Sequence, residues 1–137
     1  MLEQFFIENL VLFLALFIVI GLFFALPSIA SIGGSSGVSA LQLPQLQRSD
    51  HIIIDVSTNA EFNKGHLPGA LNLPLEELQK DTSKINKHKG KNLILTCANG
   101  NKSIAAGKYL KKQGFEQVHH LNGGLIAWER ENLPVAS

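Results

Sequence analysis

From residue 38 onward, short unbroken apolar runs alternate with stretches in which apolar residues recur three and four apart. Ile52-Ile53-Ile54, Leu93-Ile94-Leu95 and the segment 118–121 are runs of strand length, and the first two lack the polar alternation of a sheet with one wet face. A strand apolar on both sides belongs in a parallel sheet with helices over each face, and the intervening segments supply them. The clearest spans 103–113, where Ala106, Tyr109 and Leu110 fall on one side and Lys108, Lys111 and Lys112 on the other. Gly114 stands where a left-handed C-terminal cap belongs, with Phe115 placed to fold back on Leu110. Asn99-Gly100 and Asn122-Gly123 precede helical patterns, which makes them strand-to-helix turns. The expected domain over residues 38–137 is α/β, a small parallel sheet with helices on both faces.

Upstream the pattern changes character. Residues 10–26 are 17 consecutive positions with no charge and nothing more polar than Gly21. At helical rise they reach about 26 Å, or about 33 Å counted back through Phe5, against about 30 Å of bilayer hydrocarbon. One transmembrane helix in contact with lipid is expected over 10–26, after an N-terminal flank 1–9. A cleaved signal peptide competes, because Ser28-Ile29-Ala30 before Ser31 offers small residues where a peptidase reads. The flank, however, carries Glu3 and Glu8 and no Lys or Arg, and the run outlasts a signal-peptide core, so an uncleaved anchor is preferred. Residues 27–37, rich in Gly and Ser, read as a flexible linker. The acidic flank crosses a membrane more readily than a remainder with twelve Lys+Arg, which puts the C-terminal domain in the cytosol.

Charge adds little beyond exclusion. Twelve Lys+Arg against eleven Asp+Glu give a net +1, far from the basic bias of a nucleic-acid binder and from the acidity of a disordered solvating chain. The single cysteine, Cys97, rules out an internal disulfide or a multi-thiolate metal site, and suits a reducing compartment. Neither a metal nor a cofactor is called for. His119 and His120, adjacent on a strand, point to opposite faces and do not chelate one ion together.

Cys97 carries the chemistry. It ends a strand, and a helix begins by Ser103, so Ala98, Asn99, Gly100, Asn101 and Lys102 must turn tightly between them. Inward-pointing amides in such a loop, with the unsatisfied donors of a helix start, make a cradle for an anion. A thiolate or a persulfide is such an anion, and a sulfur held there is nucleophilic. Gly100 allows a positive φ, and Lys102 places a mobile cation at the rim. The competing interpretation makes Cys97 a small buried hydrophobe at a strand end.

Taken in order, Asp55-Val56, Glu61-Phe62, the block Gly65-His66-Leu67-Pro68-Gly69-Ala70-Leu71-Asn72-Leu73-Pro74, the loop Cys97 to Ser103, and Gly123-Gly124 followed by Trp128 resemble a single-domain rhodanese. With the upstream apolar run, the layout is similar to the small membrane-bound bacterial rhodanese-like proteins. The resemblance implies a sulfurtransferase of the bacterial inner membrane in which Cys97 carries a sulfane sulfur, cradled by the backbone from Ala98 to Ser103. Thiosulfate or a protein persulfide would be the donor and a thiol the acceptor. Two departures stand out: Ser57 follows Asp-Val where the family commonly has Arg, and Lys102 stands where it commonly has Arg. They leave open a second reading, a non-catalytic module that recruits or regulates membrane partners. A cysteine phosphatase on the related fold is disfavoured, since its loop needs an arginine where Ser103 stands and one more residue.

Three further residues of the matching blocks read as structural. His66 is expected to hydrogen-bond backbone and fix its turn, Asp55 to orient a loop or cap a helix, and Trp128 to lie in the core. The lysines between residues 80 and 91 make either a solvated face or a surface that docks on anionic lipid.

Overall fold

The computed structural model describes residues 1–30 and 34–137, and within 25–30 its backbone alone. Two compact units result, Met1–Gly33 and Gly34–Ser137. In the first, α1 (Leu2–Glu8) and α2 (Leu10–Ala30) meet at Asn9, whose side-chain amide donates to the Phe5 carbonyl at 2.8 Å. Among the described residues no single helix is long and apolar enough to cross a membrane; Leu2–Glu8 and Leu10–Phe24, bent by 66°, meet the requirement together.

The second unit is built on a five-stranded sheet in which every pair is parallel. Its strands are β1 (Ser36–Val38), β2 (His51–Asp55), β3 (Leu71–Asn72), β4 (Asn92–Thr96) and β5 (Val118–Leu121), in the order β1-β5-β4-β2-β3. The aliphatic runs of β2 and β4 sit in register at the centre, Ile53 beside Ile94 and Ile54 beside Leu95. Because side chains alternate, the pair Ile53 and Ile94 faces one layer while Ile54, Leu93 and Leu95 face the other. The first layer contains α3 (Leu43–Leu46) and α7 (Gly124–Arg130), which contribute Leu43 and Trp128. The second contains α5 (Leu75–Lys80) and α6 (Asn101–Lys112), which contribute Leu78, Ala106 and Leu110. Between β2 and β3, the short α4 (Asn59–Lys64) is capped by the Thr58 hydroxyl, which accepts from the Glu61 amide at 3.3 Å.

The end of α6 closes as the sequence predicts. The Phe115 amide donates to the Leu110 carbonyl at 3.1 Å and the Gly114 amide to Lys111 at 3.3 Å, while the Phe115 ring is buried with Leu110.

The expected linker is corrected at both ends. The helix runs through Pro27 to Ala30, since a proline removes one donor from a helix without having to end it. At the other end Ser36–Val38 is a strand, paired with His119, His120 and Leu121, so the folded unit begins before residue 38. The middle of that stretch, residues 31–33, lies outside the described residues, as does Ser31 of the alternative cleavage site. Small residues are required where β1 packs: a Cβ on Gly107 of α6 would overlap the Ser35 side chain. The Ser35 hydroxyl is in turn 2.7 Å from His120 Nδ1. The composition of a tether here serves a close-packed sheet edge.

Gly107→Ala supplies a test of that packing. Helix propensity alone would make it stabilising by about 1 kcal/mol, whereas overlap with Ser35 costs about 1–3 kcal/mol. Urea unfolding of the full chain is expected to show net destabilisation, reversed in sign when the same change is made on a Ser35→Gly background. A stabilising Gly107→Ala on the native background contradicts the close approach.

Candidate functional site

β4 delivers Cys97 to the C-terminal edge of the sheet, where the chain turns through Ala98 and Asn99 into α6. Gly100 makes the turn with φ of +96°, a conformation that costs a side chain dearly and glycine little. Its amide points at Cys97 Sγ from 3.1 Å. Ser103, buried in the first turn of α6, places its Oγ 3.6 Å from the sulfur while donating to the Gly100 carbonyl at 2.9 Å. The hydroxyl thus accepts the thiol hydrogen and ties the loop to the helix. The Asn101 amide is taken by Asn99 Oδ1 at 3.1 Å, but those of Lys102 and Ser103 have no acceptor among the described residues. These are the free donors a helix start leaves over.

A second helix start fixes this loop from outside. The Leu125 amide donates to the Cys97 carbonyl at 2.8 Å and the Ile126 amide to the Ala98 carbonyl at 3.1 Å. The approach is so close that a Cβ on Gly124 would overlap the Cys97 oxygen and the Gly100 nitrogen, and Gly124 itself has φ of +62°. Leu125 and Ile126 were not among the residues expected at the site. The Gly123-Gly124 pair at a strand-to-helix turn is the signal that points to such an approach.

The loop opens onto a cleft of about 290 Å³ lined by Glu61, Cys97, Ala98, Asn99, Asn101 and Lys102. Of the residues expected to bind substrate, Ala98, Asn99, Asn101 and Lys102 therefore line it, while Gly100 and Ser103 lie beneath, against the sulfur. Glu61, on α4, also lines the cleft, a position that the sequence alone did not indicate. Its carboxylate is 4.0 Å from the Lys102 ammonium across the mouth.

The remaining singled-out residues are structural in their contacts. His66 Nδ1 bonds the Phe62 carbonyl at 2.8 Å and the imidazole stacks on the Phe62 ring at 3.7 Å. The Trp128 indole is buried and donates to the Pro134 carbonyl at 2.7 Å. Asp55 accepts from the Ser57 amide at 2.8 Å, holding the turn that leaves β2. Burial pushes its carboxyl above the usual carboxylate range, opposed in part by hydrogen bonds from Ser57. Ser57 is itself buried and brings no cation to the cleft. His119 reaches Asn92 and His120 reaches Ser35, and burial holds both imidazoles below the ordinary histidine value. Among the described residues no group of three or more His, Cys, Asp or Glu is placed to hold a metal ion. In the lysine-rich segment, Lys91 pairs with Asp50 at 3.7 Å and Lys89 lies 5.2 Å from the centre of the Phe115 ring.

Comparison with known proteins agrees with this geometry. The family model of the rhodanese-like domain matches residues 39–131. The chain is 36% identical over 88 residues to a sulfurtransferase of Allochromatium vinosum, an alignment covering 64% of this chain and 80% of that one. It is 34% identical over 96 residues to the thiosulfate sulfurtransferase GlpE of Shewanella oneidensis, covering 69% and 93%. To the uncharacterized protein YibN of Escherichia coli K12 it is 33% identical over 91 residues, covering 66% and 64%. Among solved structures, a rhodanese-related protein of Thermoplasma volcanium superposes with a TM-score of 0.67 at 26% identity, over 74% of this chain and 97% of that one.

Asp55 offers a test of the site's support. Its native carboxyl holds a proton to higher pH than the unfolded chain does, so its contribution to stability falls as pH rises from 3.8 through the raised native value. Asp55→Asn keeps an oxygen for the Ser57 amide and buries no charge. It is expected to be at least as stable as the native chain at pH 7 and to lack that decline. Asp55→Ala strands a buried amide and is expected to cost about 1–3 kcal/mol in urea unfolding. Equal stability of the native chain and Asp55→Ala contradicts the assigned role.

Proposed function

The chain belongs to the rhodanese-like family, and from that premise we propose that it is a sulfurtransferase carrying a sulfane sulfur as a persulfide on Cys97. The observation that carries the proposal is the Gly100 amide 3.1 Å from Sγ, beside the free amides of Lys102 and Ser103. Fixed dipoles aimed at one point stabilise a charge that forms there without having to reorganise. With thiosulfate as donor, the Cys97 thiolate attacks the outer sulfur, the Sγ–S bond forms, the S–S bond of thiosulfate breaks, and sulfite leaves with the electron pair. An acceptor thiolate then attacks the same sulfur, and Cys97 is returned as the thiolate. Both steps are balanced with no further reactant.

Intact mass of the full chain after thiosulfate treatment tests this. A gain of one sulfur atom, lost with dithiothreitol and absent from Cys97→Ser, is expected. No uptake from thiosulfate or polysulfide favours the second reading, a module that recruits or regulates membrane partners, which the neutral Ser57 and the engagement of Lys102 by Glu61 support.

We further propose that residues 10–26, which meet the length requirement for a membrane crossing together with Leu2–Glu8, anchor the protein in the bacterial inner membrane, with the rhodanese-like domain in the cytosol. The support is a run apolar on every face of its helix, preceded by a flank with acidic residues and no Lys or Arg. Protease treatment of right-side-out vesicles is expected to leave the domain intact. Digestion from outside, or a mature chain beginning at Ser31, contradicts the proposed topology.

A further inference from the structure

The charges around the cleft favour particular thiol partners. Lys102 is the one cation among the residues lining the Cys97 cleft, and Glu61 faces it at 4.0 Å with both side chains half exposed. Two neighbouring clefts share walls with this one. The first holds Glu76 and Glu77 with Lys102, and the second holds Glu61 and Glu129 with Lys64. The Cys97 cleft and the two that share its walls are thus lined by four carboxylates and two ammonium groups, although the residues from 38 on contain twelve Lys+Arg against nine Asp+Glu. The sign of the approach is the reverse of the domain's.

We infer that Glu61 sets the charge preference of the site: by engaging Lys102 it leaves the mouth net negative, so that Cys97 exchanges sulfur with cationic thiols, cysteines set among Lys or Arg, in preference to small anions. The inference rests on the sulfurtransferase reading and specifies its partner. A small dianion approaching Cys97 meets a lysine already paired and an excess of carboxylates around it. A thiol flanked by positive charge is drawn to the same mouth, and exposed charges act on such encounters over about 10 Å at moderate salt. The chemical step is unchanged: the acceptor thiolate takes the outer sulfur of the persulfide and Cys97 leaves as the thiolate.

The test compares two pentapeptide acceptors, each with one cysteine, flanked by two lysines in one and by two glutamates in the other. The full chain is loaded with inorganic polysulfide, and kcat/KM for sulfur transfer is measured for the native protein and Glu61→Gln. A preference of about tenfold for the lysine peptide is expected at low salt, contracting at high salt. Glu61→Gln is expected to contract it at low salt too and to lower KM for thiosulfate several-fold, a gain removed by adding Lys102→Met. Comparing variant with native chain cancels the intrinsic reactivity of the two peptide thiols. Equal native rates for the peptides, or a preference that Glu61→Gln leaves untouched, overturns the inference while sulfur transfer itself stands. A Cys97 that takes up no sulfur from any donor overturns the sulfurtransferase reading together with this inference, which sets the two failures apart.

Discussion

Two backbone hydrogen bonds, from the Leu125 and Ile126 amides to the carbonyls of Cys97 and Ala98, are the constraint on which the site depends. They use donors that the start of α7 would otherwise leave unsatisfied, and they hold the far side of the cysteine loop. With the carbonyls turned toward α7, the Gly100 amide faces the sulfur. Gly124 makes this approach possible because any side chain there would collide with the loop it supports. The start of α6 serves the sulfur and the start of α7 serves the loop.

The sheet is what brings these two helix starts together. β4 and β5 are adjacent and parallel, so the chain leaves both at the same edge and enters α6 and α7 side by side. The layers to which those helices belong lie on opposite faces, which lets α7 brace the loop without filling the cleft. Charge is then added at the rim rather than at the sulfur. The donors of the cradle are mostly backbone amides and depend on side-chain identity only where Gly100, Gly124 and Ser103 stand, whereas Glu61 and Lys102 lie at the mouth, clear of the sulfur.

Much of this was legible in the sequence because it is local. The apolar runs of β2 and β4, the face and cap of α6, and the turns at Asn99-Gly100 and Asn122-Gly123 each follow from residues within a few positions of one another. The cysteine loop was legible for the same reason. What the sequence withheld depends on contacts between distant segments. β1 has no strand propensity in Ser36 and Gly37 and exists because β5 offers it an edge and Gly107 leaves it room. The Glu61 to Lys102 pair joins α4 to α6, and nothing near either residue announces the other. Leu125 and Ile126 act through their amides, which side-chain identity does not reveal.

The central claim is that backbone amides at one helix start stabilise a sulfur charge on Cys97. Amide proton and nitrogen shifts of the full chain, recorded before and after sulfur loading, test it most directly. Large downfield changes are expected at Gly100, Lys102 and Ser103, with Leu125 and Ile126 keeping their bonds to the loop and shifting little. A mass gain of one sulfur with those three amides unmoved, or with the largest changes elsewhere, contradicts it.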